Sequence, residues 1–397
     1  MTVEITPGYK QTELGIVPED WQIQSLPEAL QFISGKAHEQ FINEAGPYVV
    51  VNSKFISTEG SVRKYSSENF CPAKRGDVLM VMSDLPNGRA LAKCYLVKED
   101  KTYAVNQRVC IFRPIKGSSE YFYYLLNRNK YFMQFDDGVQ QTHLLNPMIL
   151  NCQLKVPSER EQYRIGRNLA DIDSLISSMD QLIIKKSGIQ QAAMQQLLTG
   201  QYRLPGFSGE WEVKRLGDLC TLGIGRTPSR LNDAYWGRGY KWLSIADLKA
   251  KVITESSEEI TELAAKQVPL IKKGTLLMSF KLSIGRLAFA GCDLFTNEAI
   301  CSFNELKANP EYLYYALQRV DFSLYGKQAV KGFTLNKASL QLVEVAIPTM
   351  EEQTAIANIL SDIDTELAGL EARREKAHQI KQGMMQELLT GRIRLSA

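Results

Sequence analysis

Residues 169–204 read LADIDSLISSMDQLIIKKSGIQQAAMQQLLTGQYRL, and residues 360–395 read LSDIDTELAGLEARREKAHQIKQGMMQELLTGRIRL. The two segments align without a gap at an offset of 191 residues, and fifteen of the 36 pairs are identical. Similarity at one fixed offset indicates an internal duplication. The sequence therefore predicts two copies of one structural plan.

Both segments have the apolar spacing of a coiled coil. Apolar residues recur in alternating steps of four and three over residues 165–197 and again over residues 356–388, which is the seam of a helix that needs a partner. Proline precedes each segment and glycine follows it, as is typical of helix starts and ends, at Pro157, Gly200, Pro348 and Gly391. We expect two long antiparallel helices that pair with each other about a pseudo-two-fold axis.

The seam is not apolar throughout. Polar side chains interrupt its later part at Lys186, Gln190, Arg374 and Lys381. The 32 residues from Ile165 to Leu197 would span about 48 Å at about 1.5 Å per residue.

The regions before the helices are less similar to each other. Residues 21–155 and 211–346 mix short apolar runs with turn residues, for example Val78–Met82 and Thr275–Ser279, which predict strands. Helical patterns follow at Tyr121–Leu126 and Tyr312–Leu317. The fold class is α+β, with two α/β domains separated by the coiled-coil helices. The predicted boundaries are 1–20 for an N-terminal arm, 21–155, 156–206 for a helix and linker, 207–346, and 347–397.

Composition limits the class of protein. Of the 397 residues, 44% are hydrophobic and 23% are charged, with a net charge of +3, as in a folded globular chain whose slight positive charge permits nucleic-acid binding. Seven scattered cysteines without a C-x-x-C pair indicate free thiols. No secretory signal and no apolar run of 18 residues are visible, so we expect a cytoplasmic protein without a membrane partner.

A family resemblance comes from the second variable region and the linker before it. The segments LGIGRTPSR at 222–230, YWG at 235–237 and WLSIADL at 242–248 closely resemble the opening of type I target recognition domains. The run QQLLTGQYRLPGF at 195–207 resembles the linker before the second such domain. The whole chain resembles the specificity subunit of a type I restriction-modification system. The first variable region lacks the Thr-Pro-Ser and Tyr-Trp segments, which suggests two recognition domains with different targets.

The resemblance implies a division of labour. Such subunits bind a bipartite asymmetric sequence in double-stranded DNA, one half-site per domain, and the helices set the spacer. Two methyltransferase subunits then methylate adenine at N6 with S-adenosylmethionine, and restriction subunits use ATP and magnesium. The resemblance implies no cofactor and no catalytic residue in this chain.

Candidate DNA contacts are polar and basic side chains of the variable regions, because Arg, Asn and Gln read base edges whereas Lys and Ser often contact phosphates. The first domain offers Lys54, Arg63, Lys64, Asn87, Arg89 and Gln107, and the second offers Thr227, Ser229, Arg230, Tyr235, Lys241, Lys249, Lys281 and Arg286. Arg89 and Arg286 follow Asn-Gly and Ile-Gly at similar places in the two halves. His143 is a further residue that could face DNA.

Other conspicuous residues have a structural interpretation. Asn106 and Asn297 recur at the offset of 191 and are expected to make structural hydrogen bonds. Trp21, Trp211 and Trp242 are expected to be core or helix-packing residues rather than platforms for base stacking. The Gly223–Gly225 run lacks the pattern of a dinucleotide site and is expected to be a turn, and the acidic pair at 258–259 is expected to be solvated surface.

Two other functions remain open at this point. The chain lacks a phosphate-binding loop, an Asn/Asp-Pro-Pro-aromatic motif and common hydrolase motifs, which argues against an enzyme. A DNA-binding repressor would need two near-identical readers, and the variable regions diverge. A pure protein scaffold would need no basic loops on its variable domains.

Overall fold

The computed structural model describes residues 6–85, 88–100, 102–329 and 332–395. The chain divides into two units, each assembled from non-contiguous parts of the repeat. Unit 1 contains the chain up to Asp180 together with the segment from Ala372 onward, and unit 2 is Gln181–Glu371. Each unit therefore holds one variable region, the first part of the long helix that follows it and the last part of the other long helix.

The helices are mostly short, apart from two of 39 residues each. They are α1 Leu26–Ala29, α2 Ser53–Ser57, α3 Ser119–Leu126, α4 Lys130–Met133, α5 Asn146–Leu150, α6 Glu159–Leu197, α7 Leu216–Leu219, α8 Glu262–Ala265, α9 Pro310–Leu317, α10 Lys337–Gln341 and α11 Met350–Leu388.

The strands are short in both units. Those of unit 1 are β1 Tyr9–Thr12, β2 Gly15–Pro18, β3 Gln22–Ser25, β4 Leu30–Ser34, β5 Tyr48–Val51, β6 Tyr65–Ser66, β7 Pro72–Ala73, β8 Val78–Val81, β9 Ser83–Asp84, β10 Cys94–Leu96, β11 Tyr103–Val105, β12 Val109–Pro114, β13 Thr142–His143 and β14 Gln153–Val156. Those of unit 2 are β15 Glu212–Arg215, β16 Thr221–Ile224, β17 Trp236–Leu243, β18 Val252–Ile253, β19 Glu258–Ile260, β20 Leu276–Ser279, β21 Leu287–Ala290, β22 Phe295–Thr296, β23 Ile300–Asn304, β24 Lys327–Ala329, β25 Gly332–Thr334 and β26 Glu344–Ile347.

The main sheets of the two units have corresponding orders. In unit 1 the order is β10-β8-β12-β4, and in unit 2 it is β18-β21-β20-β23-β16. Met80 pairs with Cys110 in the first sheet and Met278 with Cys301 in the second. Strands β8, β12 and β10 therefore correspond to β20, β23 and β21, and β18 is an addition of unit 2.

A second sheet in each unit contains one parallel pair. Strand β5 runs parallel to β11 in unit 1, and β17 runs parallel to β22 in unit 2. Asn106 and Asn297 follow these pairs. The backbone amide of Asn106 donates to the carbonyl of Val51 at 3.0 Å, and that of Asn297 donates to the carbonyl of Leu243 at 2.9 Å. Their side chains also accept local amide hydrogen bonds, which confirms the structural role predicted for both.

The long helices run antiparallel within each unit, as predicted. In unit 1 Asp173 pairs with Lys381 at 2.6 Å and Asp180 with Arg374 at 3.3 Å. In unit 2 Lys186 pairs with Glu366, and Gln190 donates to Asp364. The polar residues that interrupt the seams therefore meet acidic residues of the facing helix.

The ends of the helices are also as predicted. Helix α6 begins two residues after Pro157 and α11 two residues after Pro348. Gly200 and Gly391 adopt left-handed φ angles of 70° and 74°, which favour glycine at a helix end.

The repeated residues make the same contacts twice. The Tyr121 hydroxyl donates to the carbonyl of Lys155 at 2.6 Å, and the Tyr312 hydroxyl to that of Ala346 at 2.7 Å. Both tyrosines are fully buried, against the core of their own unit.

An arginine–glutamate pair, here called the clamp, joins the two helix segments of each unit. In unit 1 it is Arg394 with Glu161, and in unit 2 Arg203 with Glu352, with Nε to carboxylate distances of 2.8 and 2.7 Å. The glutamates are only 3% and 1% exposed. A buried carboxylate needs such a partner, so the clamp ties the end of one repeat to the start of the other repeat's helix.

Two expectations were wrong. Gly223 and Ile224 are in strand β16 rather than in a turn. Gly225 follows at a place where a β-carbon would lie 2.1 Å from Thr296 Oγ1, so these glycines serve close packing. The acidic pair Glu258 and Glu259 is held in ion pairs rather than freely solvated.

The cysteines, the tryptophans and the long helices agree with what the sequence predicts for them. All seven cysteines are free. Trp21 and Trp242 are at most 2% exposed and Trp211 is half-buried against the unit 2 core, which confirms their packing role. None of the described helices has the length and apolar character needed to cross a bilayer.

Candidate nucleic-acid interface

In unit 1, several of the polar candidates surround the parallel strand pair. Lys54 and Lys64 line a cavity of about 260 Å³ together with Asn106 and Arg108. Gln107 and Arg108 line an adjoining cavity of about 540 Å³ with His143. We call Lys54, Lys64, Gln107, Arg108 and His143 the Arg108 face. All five are exposed.

Local structure fixes the backbone of this face. Asn52 caps helix α2 by accepting from the amide of Phe55 at 2.9 Å, which places Lys54 in the first turn. Asn106 donates to Glu39 at 3.0 Å. Burial is the largest single effect and opposes ionisation of Glu39, but this hydrogen bond and those from the backbone amides of Glu39 and His38 together lower the pKa of the carboxyl. Glu39 is therefore a fixed acceptor beside Gln107, whose amide lies 3.5 Å away.

The remaining candidates of unit 1 are elsewhere. Arg63 is exposed, but its Nε donates to the carbonyl of Gly60 at 2.9 Å and it does not line either cavity. Arg89 is exposed, and its carbonyl accepts from Arg128 at 3.0 Å. Asn87 lies outside the described residues.

The predicted correspondence between Arg89 and Arg286 is wrong. The backbone amide of Val81 donates to the carbonyl of Lys93, and the backbone amide of the corresponding Ser279 donates to the carbonyl of Arg286. Lys93 is therefore the counterpart of Arg286. The similar Gly-Arg dipeptides misled the comparison because the loop after β8 is longer than the loop after β20.

In unit 2, a comparable face surrounds the start of the loop after β16. The Thr227 hydroxyl donates a hydrogen bond to Glu298. This hydrogen bond lowers the pKa of the Glu298 carboxyl, and the positive charge of Lys281 lowers it further. Arg226 precedes Thr227 and is exposed. We call Arg226, Thr227, Lys281 and Glu298 the Thr227 face.

Arg286 lies beside the loop that follows β17. Its Nη1 is 3.5 Å from the carbonyl of Ile245. Lys249 follows two residues after the short 3₁₀ turn Ile245–Asp247 and is exposed. Both are basic side chains available on the surface of unit 2.

Two basic candidates of unit 2 are instead neutralised by carboxylates. Arg230 stacks 3.7 Å from the ring centre of Trp236 and forms a two-pronged ion pair with Glu258. Lys241 pairs with Glu255 at 2.6 Å and with Glu259 at 2.9 Å. These hydrogen bonds raise the pKa values of Arg230 and Lys241 and lower that of Glu258.

Ser229 and Tyr235 belong to the same arrangement. The carbonyl of Ser229 accepts from Trp236 Nε1 at 3.1 Å, and the Tyr235 hydroxyl accepts from Gln267 at 2.8 Å. Together with Arg230 they shape the 226–236 loop, which we call the Trp236 loop. Their contacts indicate that they position this loop.

Lys36 and Arg226 were missed from the sequence, as was Arg108. The amide of Lys36 donates to Val105, and that of Arg226 donates to the corresponding Thr296. Both side chains are exposed. The signal was present, because the dipeptides Gly35-Lys36 and Gly225-Arg226 recur at an offset of 190, the same as for Trp21 and Trp211.

The repeat also places different side chains at corresponding positions. Gln107 and Glu298 each follow the structural asparagine, at an offset of 191. A glutamine amide pairs with adenine, whereas a carboxylate accepts a hydrogen bond from the cytosine amino group. The two faces therefore share a framework but differ in what they present to a partner.

The comparison with protein families decides the identity of this framework. The model described as "Type I restriction modification DNA specificity domain" matches residues 18–185 and again residues 208–381. This chain belongs to the type I DNA specificity family. The double match agrees with the internal repeat.

Curated relatives support the assignment. The putative type I restriction enzyme MjaX specificity subunit of Methanocaldococcus jannaschii is 24% identical, over 98% of this chain and 97% of the relative. The MjaIX specificity subunit of the same organism is 34% identical over 39% of this chain and 38% of the relative.

Solved structures show the same fold. The S subunit of a type I restriction-modification system from M. genitalium has a TM-score of 0.63 at 15% identity, over 96% of this chain and 98% of that one. A chain from a study of assembly and conformational transition of the type I system has a TM-score of 0.54 at 16% identity, over 95% and 99%.

The chain is thus a type I specificity subunit, the non-catalytic DNA-recognition component of its system. This confirms the prediction of a type I specificity subunit, whereas the bipartite target and the positioning of methyltransferase subunits stay predictions. Within the described residues no group of three or more His, Cys, Asp or Glu side chains is placed to hold a metal ion.

Proposed function

We propose that this specificity subunit binds a bipartite, asymmetric sequence in double-stranded DNA and reads one half-site with each unit. The observation that carries the proposal is the pairing of a repeated framework with unlike faces. The clamp and the buried tyrosines recur residue for residue, whereas Gln107 is replaced by Glu298 in the second unit.

The Arg108 face supplies the contacts of the first half-site. Lys54 and Lys64 line one cavity with Arg108, and Arg108 lines the adjoining cavity with Gln107. Within the described residues none of these three basic side chains has a carboxylate partner. Basic side chains that contact phosphates fix the position of a protein on DNA, and an amide between them reads a base edge.

The Thr227 face supplies the contacts of the second half-site, with Arg286 and Lys249 beside it. Arg230, Lys241, Ser229 and Tyr235 act indirectly in this proposal, by holding the Trp236 loop. The positive charges of Arg230 and Lys241 are already paired with carboxylates, so their contribution to phosphate binding is small.

The helices serve as the spacer and as the platform for partners. We propose that two methyltransferase subunits bind the complex and methylate adenine N6 with S-adenosylmethionine, and that restriction subunits add ATP- and magnesium-dependent cleavage, all in the cytoplasm. The chain itself contributes recognition and no cofactor.

A binding selection tests this function. The purified chain, with and without its methyltransferase subunit, is incubated with a random duplex library at several salt concentrations, and the bound DNA is sequenced. We expect enrichment of a split motif with two unlike halves and affinity that falls with salt. Enrichment of an inverted repeat, or no enrichment with the partner present, contradicts the proposal.

A further inference from the structure

A groove in unit 1 lies apart from the Arg108 face. It has a volume of about 710 Å³ and is bounded by strand β10, by Glu120, Tyr123 and Tyr124 of helix α3, and by Asp173 of helix α6. We call it the β10 groove. Aromatic rings, carboxylates and the two basic side chains Arg75 and Lys98 therefore line an open space beside the edge of the main sheet.

The backbone of β10 has an open edge toward this groove. Val97 donates to the carbonyl of Asp77 at 2.9 Å, and the carbonyl of Lys93 accepts from Val81 at 3.1 Å. The odd-numbered residues of this segment thus form hydrogen bonds to the β8 side. Because the backbone groups of successive residues in a strand point to alternate sides, the N–H and C=O of Leu96 point away from β8. An exposed edge of this kind accepts an added strand.

In unit 2 the corresponding edge is occupied by the chain itself. Strand β18 runs parallel to β21, the counterpart of β10. The amides of Phe289 and Gly291 donate to the carbonyls of Lys251 and Ile253 at 2.7 and 2.8 Å. Sheet register makes Phe289 the counterpart of Leu96.

The side chain of Lys251 fills the rest of that space. Its Nζ bonds the Tyr315 hydroxyl at 2.7 Å and pairs with Glu311 at 2.8 Å and Asp364 at 3.3 Å. It also lies 5.0 Å from the ring centre of Tyr314. Cation–π contact and two carboxylates make this a specific lysine site.

The same acceptors are present in unit 1. At an offset of 191, Glu120, Tyr123, Tyr124 and Asp173 match the four residues around Lys251, and all four line the β10 groove. Lys381 pairs with Asp173 and lies 5.5 Å from the ring centre of Tyr124, in the place where Gln190 bonds Asp364 in unit 2. Glu120 has no Lys or Arg partner within the described part of the chain.

We propose that the β10 groove binds an extended segment of a partner protein, which adds to β10 as a parallel strand and inserts a lysine beside Glu120 and Tyr124. The open amides favour a polypeptide. The carboxylate of Glu120, which accepts a hydrogen bond from Ser118 but has no basic partner within the described residues, favours a cationic side chain. Unit 2 contains the bound form of this arrangement within one chain.

The test uses the unit 2 segment as the probe. A fluorescein-labelled peptide of residues 248–254, LKAKVIT, is titrated with the full chain and its anisotropy is measured. We expect saturable binding of one peptide per chain, and at least tenfold weaker binding of a peptide in which the residue corresponding to Lys251 is methionine.

Variants of the chain locate the site. Glu120→Gln is expected to weaken peptide binding about tenfold, whereas Glu68→Gln, an exposed acid of the same unit, leaves it unchanged. Leu96→Pro removes the outward amide without breaking the ladder to β8, so it is expected to abolish binding. Leu96→Ala loses the same packing against the unit 1 core but keeps the amide, so it is the matched control and is expected to bind the peptide.

Some results would overturn the proposal. They are the absence of saturable binding, equal affinity for the methionine peptide, or full binding by folded Glu120→Gln and Leu96→Pro chains. DNA binding of the same variants is measured in parallel and is expected to match the wild type. A failure of the peptide site is therefore distinguishable from a failure of the proposed function.

Discussion

Whether a basic side chain is free or paired separates the two kinds of candidate contact residue. Lys64 of the Arg108 face is exposed and has no carboxylate partner within the described residues, whereas Lys241 is held by two glutamates. A paired lysine brings little net charge to a phosphate. From the sequence, both lysines were equally good candidates for a DNA contact. Only the fold shows that the ammonium group of Lys64 is free to bind a phosphate.

Replacing Lys64 with alanine is expected to weaken DNA binding to a similar degree for every sequence. It should also reduce the slope of log affinity against log salt by about one, the effect of losing one phosphate contact. Lys241→Ala is the matched variant and should leave the slope nearly unchanged. Equal slopes for wild type and Lys64→Ala in a salt-dependent gel-shift titration would remove Lys64 from the interface.

Acid should release the Trp236 loop. The hydrogen bonds from Arg230 lower the pKa of Glu258 below its ordinary 4.5. A lowered pKa stabilises the folded loop above about pH 4.5, and this stabilisation is lost as the pH falls through the lowered value. Tryptophan emission should therefore shift to longer wavelength in acid as Trp236 loses its stacked arginine.

Glu258→Gln should show the same shift at neutral pH. Glu262→Gln is the control, because Glu262 forms an exposed pair with Lys266, the residue that follows helix α8. If Glu258→Gln has the emission and the acid titration of the wild type, the ion pair does not hold the loop.

At the scale of elements, the clamp explains why the last residues of each repeat are so similar. Arg203 and Arg394 lie beyond the ends of α6 and α11, and each bonds a buried glutamate near the start of a long helix. Trp21 also donates to Glu161, at 3.1 Å. The identity of these arginines in the sequence therefore reflects a packing requirement.

Removing one arginine should destabilise its own unit. Arg394→Met leaves the Glu161 carboxylate buried without its charge partner, which we expect to lower the free energy of unfolding of unit 1 by about 2 kcal/mol, less than for a fully buried pair because the arginine is partly exposed. Arg160→Met, at an exposed position of α6, should change it by less than about 0.5 kcal/mol.

Urea unfolding followed by tryptophan fluorescence measures both. Arg203→Met should weaken unit 2 in the same way, because the clamp is repeated there. An Arg394→Met chain as stable as Arg160→Met would show that the clamp contributes no stability.

Most elements of this fold were predictable from periodicity. The spacing of apolar residues located α6 and α11, and the tyrosine-rich segments located α3 and α9. Strand β18 was not predictable, because two residues that add to a sheet edge have no pattern of their own. The antiparallel pairing was predictable, because two apolar stripes need to be covered. The sequence did not predict that each unit contains the first part of one long helix and the last part of the other.

For the whole molecule, the sequence predicted the two-half plan and, through the resemblance, the family. It did not predict which polar side chains come together, because that depends on loops of different length in the two units. Arg89 and Arg286 show the difficulty, because both follow a glycine in the sequence but do not occupy corresponding positions in the two units. Arg108 was overlooked because its neighbours Lys54 and His143 are distant in sequence.

The central claim is that each unit reads its own half-site. Gln107 and Glu298 occupy corresponding positions, so a matched pair of variants, Gln107→Ala and Glu298→Ala, isolates one unit at a time. Loss of a base contact should cost about 1–3 kcal/mol of discrimination at the position that is read.

The most direct test is adenine-methylation sequencing of a random-sequence plasmid library exposed to the chain with its methyltransferase subunit. The account predicts a split motif for the wild type, relaxed at one position of one half by Gln107→Ala and at one position of the other half by Glu298→Ala. Relaxation of the same half by both variants, or of both halves by either one, would contradict it.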